Sequence, residues 1–409
     1  MSLFTDIKIL TTPNGIKVDK LYSVKPTNGD GDFTVVRNTT ATYENSSGAT
    51  VSAAIDTPRL DYSDGSCPTI LLEPASSNLF PNSIFSGAVS GTPGTAPTGW
   101  GYHVNTGGSM TVESSAYAST NRIKVSVSNN RLAYSRNVYL TANTTYFLSS
   151  NIDIVTGVKI REVLRAVNVP SSPTQLFYID GVSVASEAIT LPSGKSTLGI
   201  AFTPTSSGYF QPKVGFGIYG VEISTNSVTF DLPQIEPLNH RTSYIPTTDA
   251  TEVTRALDSI IDSGTSSDFD SRTGTLYLKA KALGQSGTDR VLSANDGTAA
   301  NSASIVYDSV ANTVNGVYTK AGVVIATCTA VITDVTATNK IAFTYEGSSF
   351  KLYVNGSLVN TLSSGSVTAS NVFNSLDSNR GDNTLHLEAK VYEIQSYSKV
   401  LTLSEIASL

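Results

Sequence analysis

The sequence predicts an all-β protein built from antiparallel sandwiches, and three observations carry that prediction. Charged residues are only 15% of the 409, while Ser, Thr, Asn and Gly abound; this balance starves helices of their usual Lys and Glu and suits β-branched packing on pleated sheets. Apolar and polar residues alternate with period two in many short runs. Those runs are closed by Gly, Asn, Ser or Pro, with no convincing helical period between them. A 40% hydrophobic fraction suffices to bury cores, and the length argues for two or three domains.

Residues 1–79 read as an extended N-terminal segment. Phe33 and Val35, then Thr40 and Thr42, alternate as a strand would, "NSSG" at 45–48 is a turn, and Pro58, Pro68 and Pro74 interrupt regular pairing. Such a piece buries little alone, so it is expected to pack on a neighbour or a partner chain. Residues 80–245 contain "NRIKVSVS", "TTYFLSSNIDIV", "KSTLGIAFTP", "GYFQPKVGFGIYGVEIS" and "NSVTFDLPQIE". Strands at that spacing predict a sandwich or jelly roll. A proline-punctuated connector follows at 246–261. Residues 262–409 predict a second sandwich, in which Phe343 and Tyr345 face Phe350, Leu352 and Val354 across "EGSS". Asn355-Gly356 supplies the positive φ of a tight hairpin, and "LTLSEIASL" predicts one short helix capped by Thr402 or Ser404.

Composition excludes several functions. The net charge is −6 with no basic stripe, so the electrostatic footprint of a nucleic-acid binder is missing. No stretch approaches the roughly 18 apolar residues of a membrane helix. Cys67 and Cys328 are expected as free, half-buried thiols in separate domains. His103, His240 and His386 fall in different regions, with no metal-ligand spacing and no nucleophile elbow, and read as surface or strand-end residues. Among the acids, Asp153, Glu162, Glu222, Asp231 and Glu236 show no spacing that selects a catalytic pair. The chain is read as non-enzymatic.

The stretch "QIEPLNHRTSYIPTTDATEVTRALD" resembles a connector found in tailed-bacteriophage structural and tail proteins, through Gln234, Glu236, Thr242 to Thr247, Thr254, Arg255 and Asp258. "FTVVRNTTATYENSSG" and "DTPRLDY…LLEPASSNL" are similar to other stretches of the same virion proteins. The middle region looks like a carbohydrate-binding jelly roll. The C-terminal region is similar to laminin-G/concanavalin-like sandwiches through "KIAFTYEGSSFKLYVNGSLV" and "VYEIQSYSKVLTLSEI". The resemblance implies a virion-surface protein assembled in a host cytoplasm and used outside it. Its N-terminal region would dock on other virion proteins, the chain would form a homo-oligomer (a trimer is common for such appendages), and it would meet a cell-surface glycan, with no nucleic acid or membrane as partner. A purely structural role, or polysaccharide depolymerisation, remains open beside adhesion.

Sugars are held by aromatic faces and by planar groups that fork onto hydroxyls. "TGWGYHVNTGG" offers Trp100, Tyr102 and Asn105, with Tyr117, Asn121 and Arg122 shortly after, as glycan-binding candidates; core filling by Trp100 is the alternative. Asn295, Asp296, Asp377, Asn379 and Asp382 lie in polar loops that could supply oxygen ligands to Ca2+, the one cofactor considered, or serve as ordinary turn residues. In the connector, Tyr244 and Ile245 are expected to dock on the preceding sandwich, and Arg255 and Asp258 to pair locally. Glu73 and Glu236 are the other candidate packing residues of the resembling blocks.

Overall fold

A computed structural model describes residues 3–17, 19–117, 120–248, 252–285 and 287–409. The fold is nearly all-β, with three short helices among the described residues, and divides into two units: residues 1–48, 52–75 and 256–409 form one, residues 49–51 and 76–255 the other. Both are antiparallel double-sheet structures, as the alternation predicts.

The boundaries differ from those drawn on the sequence. Most of the N-terminal segment is not a separate piece but part of the C-terminal sandwich. Strand Ile7–Lys17 pairs with Ala389–Tyr397, Ile7 opposite Tyr397 and Thr11 opposite Ile394, and Thr69–Leu72 pairs with the other end of the same strand. The reason is burial: Ile9, Leu21, Phe33, Val35, Ile70 and Leu72 join one core with Leu276, Leu278, Phe343 and Leu352. Cys67 and Cys328 consequently lie in the same unit, both free, the first exposed and the second buried.

Among the described residues, this first unit packs an eleven-stranded sheet against a five-stranded one that runs from Val323–Val331 to Ser375–Asp377. The larger sheet is covered on both sides. Leu276 and Leu278 point into the inter-sheet core, while Tyr277 points the other way, towards Tyr353, Tyr397 and Ile406. Ile406 belongs to the helix Leu403–Ser408, which Thr402 caps: Glu405 N donates to Thr402 Oγ1 at 3.3 Å, and Thr402 N donates to Glu405 at 2.7 Å. The hairpin after Ser349–Val354 turns on Asn355 (φ 50°) and Gly356 (φ 80°) as expected.

The second unit is the jelly-roll-like sandwich. Among the described residues, seven strands run in the order Ser109–Ser114, Asn121–Val127, Asn226–Glu236, Tyr146–Ile154, Gly194–Phe202, Gln175–Ile179, Val182–Val184. The smaller sheet centres on Gly208–Phe216. Val138–Leu140 and Leu132–Ser135 pair along one side of that strand, Leu164–Val167 along the other, and Gly101–Asn105 lies beyond Leu132–Ser135. Phe210, Val214 and Phe216 point inward onto Leu148, Ile200 and Phe230. The alternate positions Tyr209, Gln211 and Lys213 therefore share the outer face.

Candidate functional site

That outer face gathers polar and aromatic groups from five separate segments. At one end Tyr139 stands opposite Tyr209 in the strand register, with ring centroids 5.2 Å apart and planes at 76°. The rings stay 55% and 66% exposed, which leaves their faces to solvent. Next along the strand, Gln211 donates to Asn137 at 2.9 Å and accepts from Asn168 at 3.4 Å, so the amides hold one another in a fixed row.

Roughly 13 Å from Tyr209 at strand rise, Lys213 is paired with Arg165 on one flank and Ser135 on the other. A register shift beside Tyr134 accompanies the placement of His103, whose Nε2 lies 3.3 Å from Lys213 Nζ. Burial, then the neighbouring Arg165, pushes the Lys213 ammonium below the ordinary lysine value. Burial and Lys213 likewise hold the His103 imidazole below its usual range, so it is neutral at pH 7. Arg165 is fixed by Glu187 at 3.2 and 3.4 Å, and Arg161 lies 3.6 Å from Glu162. Both guanidiniums sit over the half-exposed Tyr219 ring, 4.1 and 4.9 Å from its centroid, within cation–π range. The preceding Gly217 has φ 74°, and a Cβ there would fall 2.2 Å from the Arg131 side chain that crosses it. Aromatic planes, fixed amides and cations on one surface are the components that saccharide recognition uses.

The residues singled out in the sequence are placed differently. Trp100 is 8% exposed, packed at a tilt against Phe80 and Phe85 with Nε1 donating to Pro81 O at 3.2 Å, so it fills the core and offers no face to a ligand. Tyr102 leans on Tyr134 at 5.4 Å and donates its hydroxyl to Gly94 O, and Asn105 accepts from Gly107 N within its own turn. Tyr117 sets its ring edge on Tyr244 at 5.8 Å, and Arg122 pairs with Glu113 at 2.9 Å. Tyr102 and Asn105 belong to the smaller sheet, and Arg122 to the larger one.

The loops considered for Ca2+ are closed on themselves. Asn295 Nδ2 donates to Asp377 Oδ2 at 2.9 Å, and the other Asp377 oxygen accepts from Asp262 N and Ser375 Oγ. Asn379 accepts from Gly381 N at 2.6 Å. Asp296 is taken up by Thr298 and Asn301, and Asp382 by Arg380 and Thr384, with no group of three His, Cys, Asp or Glu placed to share an ion among the described residues. Arg380 and Asp382 pair with each other across Gly381.

The resembling blocks form two buried networks, one in each unit. In the first unit Asp258 receives Arg37 Nη1 at 2.9 Å, Arg59 Nη2, and Glu73 N at 3.0 Å, while Arg59 Nη1 reaches Glu73 at 2.6 Å. Asp258 and Glu73 hold the Arg59 guanidinium charged although burial opposes it. In the second unit Glu236 accepts from Ser76 at 2.9 Å, from Gln234 at 2.8 Å and from Thr242 N at 2.9 Å, and Arg255 Nη1 reaches Thr242 and Ser243. Asp258 is therefore bound by Arg37 and Arg59, where local pairing with Arg255 was expected. Tyr244 and Ile245 are buried on their own sandwich, with the Tyr244 hydroxyl 2.7 Å from Ser83 Oγ. Residues 249–251 of the connector lie outside the described residues.

Of the remaining acids, Asp231 is tied to Ser115 and Ala116, Glu222 is exposed, Asp153 lies on strand Tyr146–Ile154, and only Glu162 lies beside the outer-face cluster. His240 contacts Asn239, and His386 lies between Ser259 and Asn383.

Residues 257–407 match the model of the concanavalin A-like lectin/glucanases superfamily. No curated protein matches the sequence. Similar solved structures include domain 4 of AbnA, an extracellular arabinanase from Geobacillus stearothermophilus in complex with arabinotriose, at 12% identity, covering 37% of this chain and 72% of that one with a TM-score of 0.32. The Ruminococcus gnavus IT-sialidase CBM40 bound to α2,3-sialyllactose aligns at 18% identity over 34% of this chain and 82% of that one, TM-score 0.28. Sheep galectin-11 aligns at 12% identity over 31% and 90%, TM-score 0.23.

Proposed function

We propose that the protein binds glycans without cleaving them, through the outer face centred on Gly208–Phe216, as an adhesive component of a tailed-phage virion. One observation carries the glycan reading: Tyr139 and Tyr209 expose their ring faces beside the fixed row Gln211, Asn137 and Asn168. The rings would stack on sugar C–H surfaces, and the amides would fork onto hydroxyls. The lectin-superfamily match of residues 257–407 supports a carbohydrate-related fold in the other unit as well.

The virion reading rests on the resemblance of the blocks around Arg37, Arg59, Glu73, Glu236 and Asp258. The N-terminal region would meet other virion proteins, and several copies on one particle would turn weak sites into avid ones without new contacts. Labelling this chain and imaging intact particles tests that part; absence from purified phage overturns it. The glycan part is tested by probing a glycan microarray with intact protein and with the double variant Tyr139→Ala/Tyr209→Ala. The expected result is a defined set of bound glycans that the variant loses while it stays folded. Equal binding by both proteins would overturn the site.

Depolymerisation is the second reading, and Glu162 favours it. Its carboxyl is held above the usual range by burial and lies beside the same face. Purified protein that thins a polysaccharide solution, with Glu162→Gln abolishing the effect, would establish hydrolysis.

A further inference from the structure

Lys213 is 6% exposed and, among the described residues, has no carboxylate within ion-pairing distance; its partner is a histidine nitrogen at 3.3 Å. A buried ammonium without an anion is costly. The neighbouring side-chain charges that hold the adjacent His103 imidazole down are those of Lys213, Arg131 and Arg165. Arg165 commits Nε and Nη2 to Glu187 yet stays 27% exposed, and Arg161 stays 23% exposed. Four cations, Arg131, Arg161, Arg165 and Lys213, thus stand against two carboxylates, Glu162 and Glu187. They do so in a chain whose net charge is −6, so the local sign opposes the global one.

We infer that this end of the face takes the anionic substituent of an acidic saccharide, a carboxylate or a sulfate, while the Tyr139–Tyr209 end takes a neutral ring further along the same oligosaccharide. This deepens the glycan-binding reading and rests on it. The exposed edges of Arg161 and Arg165 provide directed donors for a planar or tetrahedral oxyanion, and Lys213 supplies a charge that lacks a carboxylate counter-ion among the described residues. Neutral sugars would use the tyrosine and amide rows and leave that charge uncompensated, which gives selectivity by an unpaired buried group.

The test uses an array of matched pairs printed side by side: carboxylated oligosaccharides with their carboxyl-reduced counterparts, and sulfated ones with their desulfated counterparts. Full-length protein, Lys213→Gln and Tyr209→Ala are compared, with folding checked by circular dichroism. The expected result is binding concentrated on the anionic members, weaker by about ten- to hundredfold on their neutral partners, the worth of a charge-assisted hydrogen bond. Lys213→Gln is expected to shrink that difference severalfold, the Arg161 and Arg165 donors remaining, and Tyr209→Ala to weaken both members. The identity of the preferred series separates carboxylate from sulfate recognition. Should Lys213→Gln not fold, added salt gives the same reading: between 50 and 500 mM NaCl, anionic members must lose binding and neutral ones must not. Neutral members bound as well as anionic ones, with Tyr209→Ala weakening them, would overturn the acidic specificity and leave the glycan site standing. No binding to any member would overturn both.

Discussion

Tyr139 and Tyr209 face one another across a strand pair, edge to face at 5.2 Å, and both rings remain open to solvent. A core does not need that arrangement, because neither ring is buried by the other. Removing the hydroxyl should therefore matter less than removing the plane. Tyr209→Phe is expected to bind its glycan within about threefold of wild type, and Tyr209→Ala about tenfold or more weakly, since stacked aromatic contacts are worth about 0.5–1.5 kcal/mol beyond the area they bury. Isothermal titration with the best array ligand checks this. The stability of either variant should change by no more than about 0.5 kcal/mol, as at other surface positions.

Trp100 gives the opposite pattern. Its indole packs on Phe80 at 4.9 Å inside the core, so Trp100→Ala should cost about 3–5 kcal/mol of stability. Thermal or denaturant unfolding measures the loss. A variant that unfolds normally yet fails to bind sugar would show that Trp100 is a ligand contact after all.

The Asp258 carboxylate neutralises two guanidiniums whose side chains are fully buried. Asp258→Asn leaves them underpaired and is expected to destabilise by about 3–5 kcal/mol. The control is Asp382→Asn: that carboxyl is held down to about 2, chiefly by Arg380, but the pair is solvent-screened, 46% and 28% exposed. Its loss should cost under about 1 kcal/mol. Comparable effects in the two variants would contradict the assignment of the resembling block to a buried network.

The imidazole of His103 is held below its ordinary value by burial and by Lys213, Arg131 and Arg165, opposed by a hydrogen bond to the Ile218 backbone. Between the folded and unfolded values the unfolded chain binds more protons, so this contribution is present above about pH 6.5 and is lost as pH falls below it. Burial gives Glu162 and Glu236 raised values that act in the opposite sense, so the measurement is a difference. Wild type minus His103→Gln stability should decline from pH 7 to pH 5. A flat difference would show that the ring is as free in the fold as in the unfolded chain.

Local features were readable in the sequence where the physics is local. Asn355-Gly356 announced its hairpin because few residues accept positive φ, and Thr402 with Glu405 announced the helix start by spacing alone. The alternation in "GYFQPKVGF" put Tyr209, Gln211 and Lys213 on one face. Pairing of Ile7–Lys17 with Ala389–Tyr397 left no such mark, because a sheet register between chain ends depends on burial shared by distant strands. The site was hidden for the same reason: Tyr139, His103 and Arg165 reach Tyr209 and Lys213 only through strand order. Trp100 drew attention as the sole tryptophan, but rarity in sequence does not distinguish a core plug from a stacking platform.

The most direct measurement is a crystal structure of the full chain soaked with the strongest array ligand. The account predicts a sugar ring over Tyr139 and Tyr209, hydroxyls on Gln211 and Asn137, and an anionic group towards Arg165 and Lys213. A ligand seated in the loops around Asn295 and Asp377, with the tyrosine face empty, would contradict it.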